Sequence, residues 1–403
     1  MINILLPAVA LVTVLLLMMP SVGRHELWRA TITPLASIIG SGFLIVAPLL
    51  AEIVGKLAPF AMTAIVVVAF AIGAVVRFNI RYAEPLLKEP DKGRSIAGIE
   101  QMSRAVLVLA YIVSITFYLR LMSSFVLEGL GVASPIWASV LTTGVLLFIG
   151  VAGVWRGLGG LERLEAFSVS LKLAIIVALL VGLTHHNIVQ GYRLDGLTAD
   201  HLTRAEQLGM FAGMLLVVQG FETSRYLGGG YSASVRIKSM RLAQLIAAAV
   251  YILFVISLLP LMHHLEQGKP DETAIIALSA FAATVLPLML IIAAVMSQFS
   301  AAVADTIGAG GLIEEQMGKR IKPAIVYMGV MFVGILLVWT SNIFEIVVFA
   351  SRAFAAYYFL QTMIAILITV KFQRDTYRSV RLVSLVAVAV LLFAVLLFAK
   401  PVG

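Results

Sequence analysis

"ASIIGSGFLIVAP", residues 36–48, sets Gly40, Ser41 and Gly42 in the middle of an apolar stretch, with Pro34 and Pro48 on either side. Glycine weakens a helix, and in hydrocarbon each unpaired peptide group costs several kcal/mol, so a break at that depth must serve a purpose. The rest of the chain identifies the solvent as a bilayer. Of the 403 residues, 61% are hydrophobic and 12% charged, too little polar surface to cover a water-soluble globule. The absence of cysteine excludes disulfides and thiolate metal sites.

Twelve apolar runs approach the length of about 20 residues that spans a hydrocarbon core of about 30 Å. They are residues 2–19, 30–52, 60–82, 104–126, 134–154, 163–184, 207–227, 242–262, 275–303, 323–340, 343–370 and 380–399. The first has no basic residue before it and no small-residue cleavage site after it, which reads as a retained helix rather than a signal peptide. Trp28, Trp137, Trp155 and Trp339 fall at the ends of runs, as interfacial tryptophans do. The connections after runs 1, 3, 5, 7, 9 and 11 hold 21 of the 29 basic residues, which predicts that both termini lie outside the cytoplasm. That asymmetry also accounts for the pI of about 9.7 with no nucleic-acid partner.

A second interruption stands in "LLVVQGFETSRYLGGG", residues 215–230, where Gly220 is followed at once by Phe221 and Glu222. With run 1 set aside, the second broken helix comes five runs after the first, so the two cross in opposite directions. Paired glycine-interrupted helices in inverted halves point to a transporter binding site. Half-helix N-termini offer N–H groups to a carboxylate, and freed carbonyls accept from an ammonium or bind a cation. The alternative is that Gly-Ser-Gly only lets two helices pack closely.

"IIGSGFLIVAP" resembles the first core helix of the amino acid–polyamine–organocation (APC) transporter superfamily, and "GFETSRYLGGGYSASVRIKSMR" is similar to its sixth. "LKLAIIVALL" (171–180) resembles its fifth, with a lysine at the same place, and "SAAVADTIGAGGLIEEQMG" resembles more loosely the end of its eighth. The resemblance covers residues 28 to about 371 and implies the five-plus-five inverted repeat of the sodium-coupled leucine transporter. It further implies that amides around Ser41, Gly42 and Phe43 bind a substrate carboxylate, with the Ser41 hydroxyl assisting. The carbonyls of Ile38, Leu216 and Gln219 then face the substrate amine, Glu222 is a gating or proton-responsive carboxylate, and Phe221 with Tyr111 or Tyr118 forms an aromatic gate. Lipid contact or simple packing is the plainer reading of each aromatic.

Ionisable residues at depth are costly unless buried and paired. Lys172 lies roughly 15 Å from either surface, at 1.5 Å per residue, which suits a proton carrier or a lysine bonded permanently to helix carbonyls. In the family resemblance its ammonium stands where relatives hold sodium; Ser297 and Ser300 supply oxygen ligands if sodium is used instead. Arg352 pairs with Glu345 or faces the substrate; Arg120 snorkels or pairs with Glu128; Asp305 joins an inner gate with Arg225 or is solvated at its helix end. The histidine pairs 185–186 and 263–264 sit at outer helix ends as interfacial residues, an external pH sensor or a weak metal site. The longest cytoplasmic loop is 83–103.

The sequence thus predicts an all-α polytopic membrane protein of about 12 transmembrane helices: an inverted repeat of five plus five, with one extra helix at each end. The predicted divisions are an N-terminal helix and loop (1–27), a first repeat (28–184), a second (185–371) and a C-terminal helix (372–403). The expected function is a secondary active transporter, not an enzyme, moving an amino acid or related amine by alternating access with H+, or Na+, as coupling ion. The expected location is a bacterial inner (plasma) membrane, with no metal and no cofactor. An inorganic-ion transporter on the same fold and a non-transporting ligand sensor are the alternatives. A metal-ion carrier is expected to place aspartate or asparagine in the first break and methionine in the second, where this chain has glycines.

Overall fold

The computed structural model describes residues 1–402 except Ala133, Gly157, Leu158, Asp195, Thr198, Asp200, His201, Leu216, 266–270 and 318–322; the side chains of Ser41, 90–92, 154–166, 314–324 and 326 are also outside the description. The described residues are almost wholly helical, with no strand among them. Eight of the described helices are long and apolar enough to cross a membrane, and shorter apolar helices stand at Ile2–Met18 and Tyr327–Thr340.

In chain order, α1 is Ile2–Met18. The broken first core helix is α2 (Glu26–Ser41) and α3 (Phe43–Val54), followed by α4 (Ala58–Phe78) and α5 (Pro90–Gly129). Next come α6 (Pro135–Arg156) and α7 (Gly159–Gln190). The second broken helix is α8 (Arg204–Met214) and a 3-10 segment, Phe221–Leu227. Then follow α9 (Ala233–Leu258), a short α10 (Ala274–Ala282) and α11 (Leu286–Met317). The chain ends with α12 (Pro323–Thr340), α13 (Ile343–Phe372) and α14 (Arg378–Phe398).

Local chemistry sets many of these boundaries. Pro90, Pro135 and Pro323 each open a helix, where the missing N–H costs nothing. Thr203 with Glu206, and Asn342 with Glu345, form reciprocal capping boxes at the starts of α8 and α13. Two expectations are corrected here. The 83–103 segment is mostly helix, because Pro90 starts α5 fourteen residues before the apolar run at 104 and so makes Glu100 a helical residue. The 275–303 run is two helices, because the chain is extended at Ala283 between α10 and α11.

Packing uses the small-residue contacts expected where lipid removes the hydrophobic drive between helices. Gly150 and Gly153 of α6 let α12 approach through Met331 and Tyr327, and Gly182 of α7 receives Leu6 of α1. At the centre, α5, α11 and α13 pack together around fully buried Tyr118, Phe354, Tyr357 and Tyr358. The two broken helices lie against this group. Gly42 abuts Val217, where an added Cβ would come within 2.4 Å of its Cγ1, and Gly220 rests on Ser37.

Candidate functional site

The first break is a single residue wide. Gly42, at φ −146° and ψ 3°, separates α2 from α3, and among the described residues no side chain caps the start of α3. Pro48 lacks an N–H, so α3 also loses one bond back toward its own beginning. The carbonyls of α2 from Ile38 on lie beyond the helix ladder, and side chains from three other helices reach this last stretch of α2. Lys172 of α7 donates to Ala36 at 2.9 Å. Tyr251 of α9 donates to Ile38 at 2.9 Å, and Gln298 of α11 to Gly40 at 2.9 Å. Beyond the break, Phe43 packs on Phe254 and Tyr251 at centroid distances of 4.4 and 5.7 Å.

The second break closes on itself. Gly220 has φ +111°, a conformation that favours glycine, and a Cβ there would also overlap Ser37 at 2.4–2.7 Å. Glu222 folds back so that one carboxylate oxygen accepts from the Gly220 N–H at 3.0 Å and from the Tyr358 hydroxyl at 2.5 Å. The Thr223 hydroxyl donates to the Gly220 carbonyl at 2.8 Å. Phe221 stacks on Tyr358 at 5.3 Å. Glu222 is fully buried, and its other oxygen has no hydrogen-bond partner.

A cavity of about 550 Å³ lies along α2 up to Ser37 and beside the 3-10 segment that follows the second break. Its walls include Arg29, Ser37, Tyr111, Tyr226, Tyr231 and Asp305. A separate cavity of about 10 Å³, room for about one water, lies beside Lys172, Phe43, Ser297 and Gln298.

The structure therefore brings together Gly40, Gly42, Phe43, Gly220, Phe221, Glu222, Lys172 and Ser297. A Cβ on Gly40 would lie 3.9 Å from both Lys172 Nζ and Ser297 Oγ. Ile38 is buried, and its carbonyl accepts from the Tyr251 hydroxyl. Gln219 is buried, and its side-chain oxygen has no partner. Tyr111 lines the large cavity, whereas Tyr118 lies outside its wall with its hydroxyl beside that of Ser37. Ser300 is half-buried and does not line the small cavity with Ser297. Leu216 and the Ser41 side chain lie outside the described residues.

Several ionic pairings differ from expectation. Arg352 neither pairs with Glu345 nor faces the cavity; it donates to the Ala399 carbonyl at 2.7 Å, because the tail after α14 crosses beside it, while Glu345 is committed to the Asn342 cap. Arg120 donates to the Pro135 carbonyl at 2.9 Å rather than to Glu128. Arg225 meets Glu100 of α5 through two contacts of 3.1 Å, bonds Gln361 of α13 and lies 3.9 Å from Glu84, rather than pairing with Asp305. Gln361 in turn bonds Asn79 and Ser103, and Arg236 forks onto Glu84 at 2.6 and 2.8 Å. Tyr251, Gln298, Tyr358, Glu100 and Gln361 escaped sequence reading. A polar side chain in an apolar run was the available signal for Gln298 and Gln361.

The chain matches the profile of APC superfamily transporters over residues 20–399. A protein of Aquifex aeolicus strain VF5 is 45% identical over 386 residues, 95% of this chain and 93% of that one. Among solved structures, a Na+-coupled sialic acid symporter is similar with a TM-score of 0.54 at 14% identity, covering 100% of this chain and 99% of that one. A manganese transporter of Eremococcus coleocola aligns with a TM-score of 0.54 at 10% identity over 91% and 87% of the two chains. A nucleobase-cation-symport-1 family transporter aligns at 0.52 and 12% identity over 90% and 91%. These likenesses establish the leucine-transporter-type fold, and the profile match over nearly the whole sequence establishes that this chain belongs to the APC superfamily of transporters.

Proposed function

We propose that the protein is a proton-coupled secondary transporter of an amino acid or related amine, working by alternating access with both termini outside the cytoplasm. The observation that carries this reading is the blind end of the large cavity: it stops at Ser37, where Gly220 of the second break rests on the first. A small molecule entering from the cytoplasmic end reaches Ser37 and Thr223, each beside one of the breaks. The start of α3, uncapped among the described residues, offers amides and a favourable helix dipole to a carboxylate.

Proton coupling is supported by Lys172. Its ammonium occupies the side of α2 at Ala36, beside Gly40 and Ser297, and one small cavity seldom holds two unshielded cations. Loss of its proton weakens a charge-assisted bond to α2, and a weaker grip on α2 allows the broken helices to move against α5 and α11. The reading is tested by loading purified protein into liposomes and measuring counterflow of a panel of radiolabelled amino acids and amines. Saturable exchange of at least one compound supports it. Binding with no exchange of any compound makes the protein a sensor, and exchange of inorganic ions alone makes it an ion carrier.

A further inference from the structure

The chain that follows α14 lies across the second broken helix, at the end of the bundle away from the large cavity. It is not helical there, so its main-chain groups need partners other than their own neighbours. The Lys400 N–H donates to the Gly209 carbonyl of α8 at 2.9 Å, and the Ala399 carbonyl accepts from Arg352 of α13 at 2.7 Å. Gly209 and Gly213, one turn apart on α8, form the bed for this crossing. A Cβ on Gly213 would come within 2.6 Å of the Lys400 carbonyl oxygen, and one on Gly209 within 3.0 Å of the Lys400 side chain. The Gly213 carbonyl in turn accepts from Ser351 of α13 at 2.6 Å.

Val402 extends the contact to the first broken helix. It is 4% exposed and shares a gap of about 10 Å³ with Leu49 of α3, Met214 of α8, and Phe344 and Val347 of α13. Residues 399–402 thus meet α3 and α8, the far halves of both broken helices, together with α13. Glycines that let backbones approach closely, and a charge-assisted bond from a guanidinium, are strong means of holding one segment on another. Parting α8 from α13 at this end has to break the bond at Gly209 or the bond at Ala399, because the segment is tied to both helices.

We infer that residues 399–402 are a strap that holds the bundle shut at the end opposite the large cavity, and that this end opens when the strap releases α8. This rests on the alternating-access reading above and adds to it the element that sets how often the far end opens. It also gives Arg352 a role: the arginine anchors the strap to α13.

The chain has no cysteine of its own, so single substitutions can report on the strap. Val347→Cys stands beside Val402 and Ser351→Cys faces Gly213, at positions 8% and 3% exposed. The test is the rate of maleimide labelling of each in the full chain in nanodiscs, compared with the same substitution combined with a second one. Lys400→Pro removes the N–H that binds Gly209, Lys400→Ala keeps it, and Gly213→Ala displaces the Lys400 carbonyl; thermal unfolding confirms that each variant is folded. Labelling at both sites is expected to rise about three- to tenfold in Lys400→Pro and Gly213→Ala, the scale of one net hydrogen bond in an equilibrium. Lys400→Ala is expected to keep the native rate. A rise at Val347→Cys alone overturns the inference, because the segment then lifts without α8 parting from α13. So do native rates at both sites in a folded Lys400→Pro protein, and Gly213→Ala decides alone if Lys400→Pro does not fold. Labelling needs no substrate, so its failure overturns the strap and leaves the carrier reading standing, whereas a native chain with no counterflow removes the carrier reading itself.

Discussion

The two breaks solve the same problem in different ways. At the first, the carbonyls of Ala36, Ile38 and Gly40 are taken by Lys172, Tyr251 and Gln298, which belong to three other helices. At the second, the freed groups of Gly220 are taken by Glu222 and Thr223, its own neighbours, with Tyr358 as the one distant partner. The first break therefore reports the positions of α7, α9 and α11, while the second carries its geometry with it. A transporter needs both: a hinge that keeps its shape, and a junction whose bonds change when the surrounding helices move.

The comparison is broken most severely at the far end of the second broken helix. Glu100→Ala strands the buried Arg225 guanidinium, and removing one partner of a buried ion pair costs about 3–5 kcal/mol. Thermal unfolding in detergent should show that loss, and the double variant Glu100→Ala with Arg225→Met should recover part of it. No recovery would mean that Gln361 and Asn79, rather than the ion pair, hold the segment. Gly220→Ala is next: the positive φ and the overlap with Ser37 together cost about 3 kcal/mol. Gly40→Ala should be far milder, because its nearest neighbour across the gap is Ala301 Cβ at 3.4 Å. Equal losses at the two glycines would abolish the distinction between a strained break and a supported one.

Smaller effects sharpen it. Tyr251→Phe and Gln298→Leu each leave a carbonyl of α2 without its donor, at about 1–3 kcal/mol apiece. Because both grip the same helix end, their costs should not add, and a double-mutant cycle measures the coupling. Smallest is Thr203→Ala at the start of α8, where a lost cap costs about 1 kcal/mol. The Thr203 hydrogen bonds hold the exposed Glu206 carboxylate below its usual range. That contribution is present above the unfolded carboxylate pKa and is lost as pH falls through the folded one, so the variant should lose part of its acid sensitivity in an unfolding titration.

Helix number, the paired breaks and the APC resemblance were legible because hydropathy and glycine placement act locally. The partners of the breaks were not. Tyr251 and Gln298 lie 213 and 258 residues from the carbonyls they bond, and nothing in a single sequence marks such a pair. Glu100 read as a loop residue because its surroundings are polar, although Pro90 had already begun the helix. Arg352 was misread because its partner is a backbone carbonyl, Ala399, which carries no charge for a pairing argument to find.

The central claim is that the grip of Lys172 on α2 is what protons act upon. Substrate uptake into proteoliposomes under an imposed pH gradient without sodium, compared between the native chain and Lys172→Ala, tests it most directly. The account predicts gradient-driven accumulation by the native protein, and in Lys172→Ala exchange that persists but no longer responds to the gradient. Accumulation that follows the gradient equally well in Lys172→Ala, or native uptake that requires sodium, would contradict it.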